Sequence, residues 1–153
     1  MSLVRSLHHV GIAVHSIEAQ RSYYEQVLGA VFEQIEEVPT QQVRVAFFRI
    51  GDVRLELLEP TDSSSSVARF LDRRGEGLHH LAFAVENLTG RIAELKQQGL
   101  EMIDEAPRHG AHQMQIAFAH PKSTFGVLTE FCEQVLDSSG CDSAAGGPLD
   151  RER

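Results

Sequence analysis

The chain has 153 residues, of which 42% are hydrophobic and 24% are charged, a composition typical of one globular domain or of two small halves that share a core. Its formal net charge of -8 at pH 7 and its lack of clustered lysine and arginine argue against nucleic-acid binding, although an anionic small molecule needs only a local positive patch. Because the sequence contains no membrane-length apolar run, no signal peptide and only Cys132 and Cys141, we expect a cytoplasmic protein with reduced thiols.

An internal repeat is the most informative feature of the sequence. The segment His8–Val14, HHVGIAV, recurs as His79–Val85, HHLAFAV, 71 residues later (79 − 8 = 71). Neither half is large enough to bury much apolar surface alone. We therefore expect two related halves that pack together as a pseudo-symmetric pair.

The first half predicts a βαβββ module over residues 1–60. A helical pattern from Glu18 to Val27 follows the first histidine-containing strand and ends before Gly29, the expected residue just past a helix. Three runs rich in β-forming residues complete the module: Val31–Glu36, Val43–Ile50 and Val53–Glu59.

The second half repeats this order after a linker. Residues 61–76 predict a linking helix, because serines that favour helix N-termini precede Val67–Leu71 and Gly75 ends the pattern. Residues 77–136 predict a second βαβββ module, with a helix over Leu88–Gln98 and strands over Glu101–Glu105, Gln113–Ala119 and Gly126–Glu133. Residues 137–153 lack apolar periodicity and predict a disordered tail.

Each half carries one histidine and one glutamate at matching positions in otherwise apolar strands. Alternate residues of a strand point to opposite sides, so His9 and His80 each share a face with two small residues. The bulky residues of the other face should pack against the helices, and the small residues should leave open space beside each histidine. Glu56 and Glu130 interrupt the last strand of each half, where a buried carboxylate is costly unless it is paired or bound to a metal.

The two histidines and two glutamates form a candidate divalent metal site, because imidazole and carboxylate suit Zn, Co, Ni, Mn or Fe. Taken singly, a histidine at a strand start is more often structural and a strand glutamate more often faces water, but the duplication favours a shared site. We expect His8 and His79 to face away from the proposed ligands, as supporting residues. Weaker candidates in predicted loops or turns are His15, His109, His112 and His120.

Several stretches make the chain identifiable by resemblance. They lie between Leu7 and Glu133: HVGIAV from His9, ELLEP from Glu56, RGEGLHHLAF from Arg74, IDEAPR from Ile103, HPKST from His120 and GVLTE from Gly126. On these residues the chain resembles the vicinal oxygen chelate, or glyoxalase/bleomycin-resistance, superfamily, and within it the methylmalonyl-CoA epimerase family. Many members of the superfamily share the metal-site pattern, whereas the RGEG and HPKS segments are more specific to the epimerases.

The resemblance implies an α+β fold in which two tandem βαβββ modules form a pseudo-symmetric curved sheet with the metal site between them. It also implies metal ligands at His9, Glu56, His80 and Glu130. The implied reaction is epimerisation of (R)- and (S)-methylmalonyl-CoA by proton abstraction at C2 through a metal-stabilised enolate. An acyl-CoA substrate and a homodimer are implied in the same way.

The two bases are a hypothesis of their own. Some relatives carry a glutamate base on the middle strand of the first half, where this chain has Val45. The pseudo-twofold relation of the halves places Glu56 and Glu130 on opposite sides of the metal, and we hypothesise that these glutamates, transiently loosened from the metal, serve as the two acid/base groups. The alternative is that Glu130 is one base and that water or another side chain supplies the second.

Other functions on the same fold stay open. A lactoylglutathione lyase of the glyoxalase I type needs the same enolate-stabilising site, and only the epimerase-specific segments argue against it. Non-catalytic binding proteins of the bleomycin-resistance type generally lack a complete ligand set, and ring-cleaving dioxygenases usually use two histidines, one carboxylate and a longer chain. Candidates for contacts with CoA phosphates are Lys122, Arg108 and Arg73.

Overall fold

The computed structural model describes residues 3–135. Its strands and α-helices, in chain order, are β1 Ser6–Ala13, α1 Ile17–Ser22, β2 Val31–Val38, β3 Val43–Ile50, β4 Val53–Pro60, α2 Ser66–Arg74, β5 Gly77–Ala84, α3 Leu88–Gln97, β6 Arg108–His109, β7 Met114–Ala119 and β8 Thr129–Gln134. The predicted tail of residues 137–153 lies outside the described range. Within that range, no helix combines the length and the apolar character needed to cross a membrane.

The strands form one sheet in the order β2-β3-β4-β1-β5-β8-β7-β6. The two halves join at its centre, where β1 and β5 pair antiparallel, and the last strand of each half runs parallel to the first strand of the same half. The sheet curls until its opposite edges touch, since the His112 N–H donates to Oε2 of Glu36 on β2 at 2.9 Å. The predicted α+β fold of tandem βαβββ modules in a curved sheet is confirmed.

The helices pack on the outer side of the sheet in each half, as the bulky strand residues predict. The N-terminus of each of these helices is hydrogen-bonded to a glutamate side chain from the last strand of the same module. Oε2 of Glu59 accepts the N–H of Ile17 at 2.7 Å, and the Glu133 carboxylate accepts the N–H groups of Asn87 and Leu88 at 2.7 and 2.9 Å. These contacts satisfy donors that a helix N-terminus leaves free, and they tie each helix to its module.

The linking helix α2 packs on the inner side of the sheet. Val67 and Leu71 of α2 lie in one apolar cluster with Ala13, Val45 and Leu58, which belong to the inner face of the first half. The inner face of the second half is apolar as well, with the buried residues Ala82, Met114, Ile116, Phe118 and Cys132. The concave side of the sheet is therefore largely apolar, with α2 packed against its first half.

Three predicted elements differ from the observed ones. The strand expected over Glu101–Glu105 is wrong, because only Met102 makes a bridge and the Asp104 carboxylate, rather than a backbone carbonyl, accepts the Phe118 N–H at 2.8 Å. The helix expected over Glu18–Val27 ends its α-helical part at Ser22 and continues as one π-helical turn. The last strand starts at Thr129 instead of Gly126, which has a φ of 92° in the preceding turn.

Candidate active site

Four buried polar side chains meet at the centre of the concave face. They come from four adjacent strands: Glu56 on β4, His9 on β1, His80 on β5 and Glu130 on β8. Their exposed fractions are 4% for His9, 5% for Glu56, 6% for His80 and 4% for Glu130. The fold therefore brings these four residues together, as the sequence predicts.

The four side chains approach one another through their ring Nε2 and carboxylate oxygen atoms. Nε2 of His9 lies 3.1 Å from Nε2 of His80, 3.2 Å from Oε2 of Glu56 and 3.6 Å from Oε1 of Glu130. Nε2 of His80 lies 3.2 Å from Oε2 of Glu130. Donor atoms of His9, Glu56 and His80 all fall within 4.8 Å of one another, a spacing compatible with one shared ion.

The small residues of the two central strands make this approach possible. Gly11 pairs with Glu56 on one side and with His80 on the other. A Cβ atom on Gly11 would lie well inside van der Waals contact with the His80 ring and 2.8 Å from its Nε2. The open space expected beside His9 is therefore filled by the histidine of the other half, a contact across the pseudo-symmetry that strand alternation could not reveal.

Burying two carboxylates at one place perturbs their ionisation. Burial raises the pKa of Glu56 above the usual glutamate value, and the charge of His9 offsets only part of that rise. Burial alone would raise the pKa of Glu130 too, but the charge of His9 and hydrogen bonds from His80 and His9 hold it well below its usual range. Burial alone would lower the pKa of His9, whereas the charges of Glu56 and Glu130 raise it.

These pKa shifts show that the two buried carboxylates are stabilised by positive charge placed between them. Protons supply that charge when no cation is bound, and a divalent cation would displace them. Two imidazoles and two carboxylates are donors that suit divalent first-row metals. The residues therefore fit the metal that the sequence prediction requires.

His8 and His79 do not face away from the site, and the sequence prediction for their direction is wrong. Nδ1 of His8 lies 2.9 Å from Nδ1 of His9, and Nδ1 of His79 lies 3.0 Å from Nδ1 of His80. Burial, followed by the neighbouring histidine, lowers the pKa of His8 to about 4 and the pKa of His79 to about 4. The imidazoles of His8 and His79, the outer histidines of the two pairs, are therefore neutral at pH 7.

A cleft opens beside His79 and His80, between α2 and the turns of the second half. One part has a volume of about 270 Å³ and walls of mixed polarity, whose polar residues include Thr40, Ser64, Arg69 and Arg108. A second part of about 570 Å³ has apolar walls with arginines at the end of α2, and includes Phe70, Arg73, Arg74, Leu78, Val127 and Leu128. Both parts share His79 and His80, so the buried cluster is open to small molecules from this side.

Some of the weaker candidates from the sequence line the cleft, and others lie elsewhere. Arg108 and Arg73 line it, and Lys122 does not. His120, one of the weaker histidine candidates, also lines it. His109 and His112 lie instead near the meeting sheet edges, where the His112 ring packs against Phe47.

Sequence reasoning missed two groups of site residues. Arg69 and Arg74 of α2 line the cleft, and the Phe118 ring packs edge-on against His80 with centroids 5.3 Å apart. Arg74 could have been found from the helical spacing of α2, because it follows the sheet-facing Leu71 by three residues. Arg69 lies two residues from both Val67 and Leu71, on the opposite side of the helix, so helical spacing gives no such signal for it. Phe118 carries no such signal in a uniformly apolar strand.

Comparisons with known proteins agree with this architecture. Residues 8–118 match the family model described as the glyoxalase/bleomycin resistance protein/dioxygenase superfamily. The uncharacterised protein YqjC of Bacillus subtilis is 49% identical over 131 residues, which cover 86% of this chain and 94% of that protein.

Two solved structures of epimerases are similar over nearly their whole length. Methylmalonyl-CoA epimerase from Mycobacterium tuberculosis is 34% identical with a TM-score of 0.86, covering 92% of this chain and 95% of that one. A methylmalonyl-CoA epimerase in complex with methylmalonyl-CoA and NH4+ is 35% identical with a TM-score of 0.82, covering 87% of this chain and 96% of that one.

Proposed function

Because the chain belongs to the methylmalonyl-CoA epimerase family of the glyoxalase/bleomycin resistance protein/dioxygenase superfamily, we propose that it is a metal-dependent epimerase of (R)- and (S)-methylmalonyl-CoA. The observation that carries this proposal is the buried meeting of two histidine Nε2 atoms and two carboxylates, one of each from either half. Binding proteins of the bleomycin-resistance type generally lack a complete ligand set, so the presence of all four side chains counts against that alternative.

The proposed metal ligands are His9, Glu56, His80 and Glu130. Co, Mn, Zn and Ni all suit this donor set, and the metal used in the cell follows availability as much as affinity. When bound, a divalent cation would supply the positive charge that lowers the energy of an enolate formed from the thioester.

Epimerisation requires removal of the C2 proton from one face of the carbon and delivery of a proton to the other face. β4 and β8 flank the central β1–β5 pair, so Glu56 and Glu130 approach the centre from opposite sides. We assign them the two proton transfers, with each glutamate transiently loosened from the metal for its step: the ionised carboxylate would take the C2 proton, and the other, in its protonated form, would return one from the opposite side. The roles exchange for the reverse reaction.

The apolar side chain of Val45 is relevant to this assignment, because some relatives carry a glutamate base at this position. It lies in the apolar cluster beneath α2 with 1% of its surface exposed. An apolar side chain at that place cannot exchange a proton, so Val45 does not supply the second acid/base group. Glu56 and Glu130 are the carboxylates already buried at the centre.

The cleft supports an acyl-CoA substrate. Its apolar walls suit the pantetheine chain, and Arg73 and Arg74 at its rim suit phosphate groups. Its inner end reaches His80, which would bring the acyl group to the buried cluster. We also expect a cytoplasmic homodimer, and light scattering of the purified protein tests that oligomeric state.

The experiment that tests the proposal is deuterium incorporation from D2O at C2 of methylmalonyl-CoA, using protein loaded with Co or Mn and protein treated with chelator. We expect metal-dependent exchange that Glu56→Gln and Glu130→Gln each reduce by about 10²-fold or more, in line with general acid–base catalysis. Glu86→Gln, an exposed glutamate paired with Arg5, is the matched control.

Three results would change the proposal in different ways. Absence of exchange from protein that holds stoichiometric metal would refute the epimerase function, and a hemithioacetal of glutathione would be the next substrate to test. Loss of exchange in Glu130→Gln alone, with metal retained in both variants, would refute the two-glutamate mechanism. Equal exchange with and without metal would refute the metal dependence.

A further inference from the structure

The first strand of each half contains a β-bulge at a histidine. Leu7 pairs with Phe83 and His9 pairs with Ala82, so His8 is the extra residue in β1. On β5, His80 pairs with Gly11 and Leu78 pairs with Ile12, so His79 is the extra residue. The two bulges therefore occupy repeat-related positions and place the same residue type outside the ladder.

A bulge changes where the extra side chain points. Neighbouring residues of a regular strand face opposite sides of the sheet, whereas the extra residue of a bulge breaks this alternation. Here it brings Nδ1 of His8 to 2.9 Å from Nδ1 of His9, and Nδ1 of His79 to 3.0 Å from Nδ1 of His80. The same Nδ1–Nδ1 contact occurs in both halves, which indicates that it has the same role in each.

Donor and acceptor rules decide how each pair shares a proton. A neutral imidazole carries its proton on one ring nitrogen and a lone pair on the other. His9 and His80 point Nε2 toward the centre of the cluster, so a metal there needs the Nε2 lone pair and leaves the proton on Nδ1. The atom beside each of these Nδ1–H groups is Nδ1 of the bulged neighbour.

We propose that His8 and His79 are positioning residues, each accepting the Nδ1–H of the adjacent metal-binding histidine and so fixing its tautomer and ring orientation toward the metal. The inference rests on the proposed metal site. Metal-bound histidines commonly donate their second ring N–H to a carboxylate or a carbonyl oxygen, which tunes the ligand. In this chain an imidazole, that of His8 or of His79, would accept the hydrogen bond in place of the carboxylate or carbonyl oxygen, once in each half.

The surroundings of the outer histidines support such a role. The His79 ring packs edge-on against Phe70 of α2 with centroids 4.9 Å apart, and the His80 ring packs against Phe118. His79 is thus held between the linking helix and the metal-binding histidine. On the other side, His8 lies beside His9 and the buried Cys132, and Sγ of Cys132 and ring nitrogens of the two histidines lie within 4.8 Å of one another.

The test compares His8→Ala, His79→Ala and the corresponding asparagine variants, with exposed His15→Ala as control. The measured quantities are the Kd for Co²⁺ by competition with a chelator, the visible spectrum of bound Co²⁺, and thermal unfolding of the metal-free protein. We expect each alanine variant to bind Co²⁺ about 10–100-fold more weakly. Asparagine, whose Oδ1 lies close to the position of Nδ1, should restore most of the affinity and the spectrum.

Nitrogen NMR of the histidine rings in zinc-loaded protein reads the tautomers directly. We expect the proton on Nδ1 for His9 and His80 and on Nε2 for His8 and His79. The opposite assignment would overturn the inference, as would wild-type Co²⁺ affinity in both alanine variants or asparagine variants no better than alanine. Those results differ from failure of the proposed function, which would appear as wild-type protein that binds no metal or exchanges no deuterium.

Discussion

Gly11 offers a sharp test of how the two halves meet at the site. An alanine Cβ there would overlap the His80 ring, and that ring is flanked by His79 and Phe118, which limit its movement. Crowding of this kind costs about 1–3 kcal/mol in a packed core. We therefore expect Gly11→Ala to lower the free energy of unfolding of the metal-free protein by that amount.

A double-mutant cycle separates this clash from a general intolerance of alanine in β1. In the His80→Ala background the overlapping ring is gone, and replacing glycine at an unstrained position stabilises a protein by about 0.4–1 kcal/mol through the unfolded chain. The coupling between the two sites should therefore be about 1.4–4 kcal/mol. Urea unfolding at pH 7 with EDTA measures it, provided that the m-values of the variants agree.

A variant at an exposed histidine outside the cluster serves as the control. In a His15→Ala background the penalty of Gly11→Ala should stay unchanged, because His15 is exposed and lies outside the cluster. If Gly11→Ala costs the same in the His80→Ala background as in the wild type, the clash with His80 is not the cause. The close packing of the two halves would then have no energetic consequence at this position.

Two further predictions concern the flank of the site. Oγ of Ser65, a residue with 1% exposure, accepts the Ala68 N–H at the start of α2, so Ser65→Ala should cost about 1 kcal/mol in urea unfolding; exposed Ser63→Ala is the control, and equal stability of the two variants would contradict the cap. The pKa of His79 is lowered to about 4 from 6.5, so the unfolded chain binds more protons between these values and the stability of the metal-free protein falls as the pH decreases from 6.5 to 4. His79→Asn should reduce that slope by up to about 1.4 kcal/mol per pH unit, measured by urea unfolding in EDTA, and curves parallel to those of wild type would contradict the assignment.

Much of the fold could be predicted from local pattern. The repeat at His8 and His79 placed the two halves, glycines marked the helix ends, and alternation marked the inner and outer faces of the strands. Buried carboxylates at Glu56 and Glu130 stood out because an isolated charge in an apolar strand needs a partner. Each of these signals lies within a few residues of chain, where periodicity and composition carry the information.

The errors lie where a long-range contact replaces a local rule. Glu101–Glu105 has strand-like composition, but the Asp104 carboxylate takes the Phe118 N–H and the segment does not extend the sheet. Apart from Arg73 and Arg108, the walls of the cleft were missed for the same reason, because they come from α2 and from turns that meet only in the folded chain.

The sequence by itself determined the duplication, the four polar residues at its matching positions and the apolar faces around them. Only the tertiary structure decided that the His80 ring fills the place left by Gly11 and that bulges turn His8 and His79 toward their neighbours. The reason is physical: side-chain alternation is a property of one strand, whereas a bulge and a close approach arise from the register between two strands.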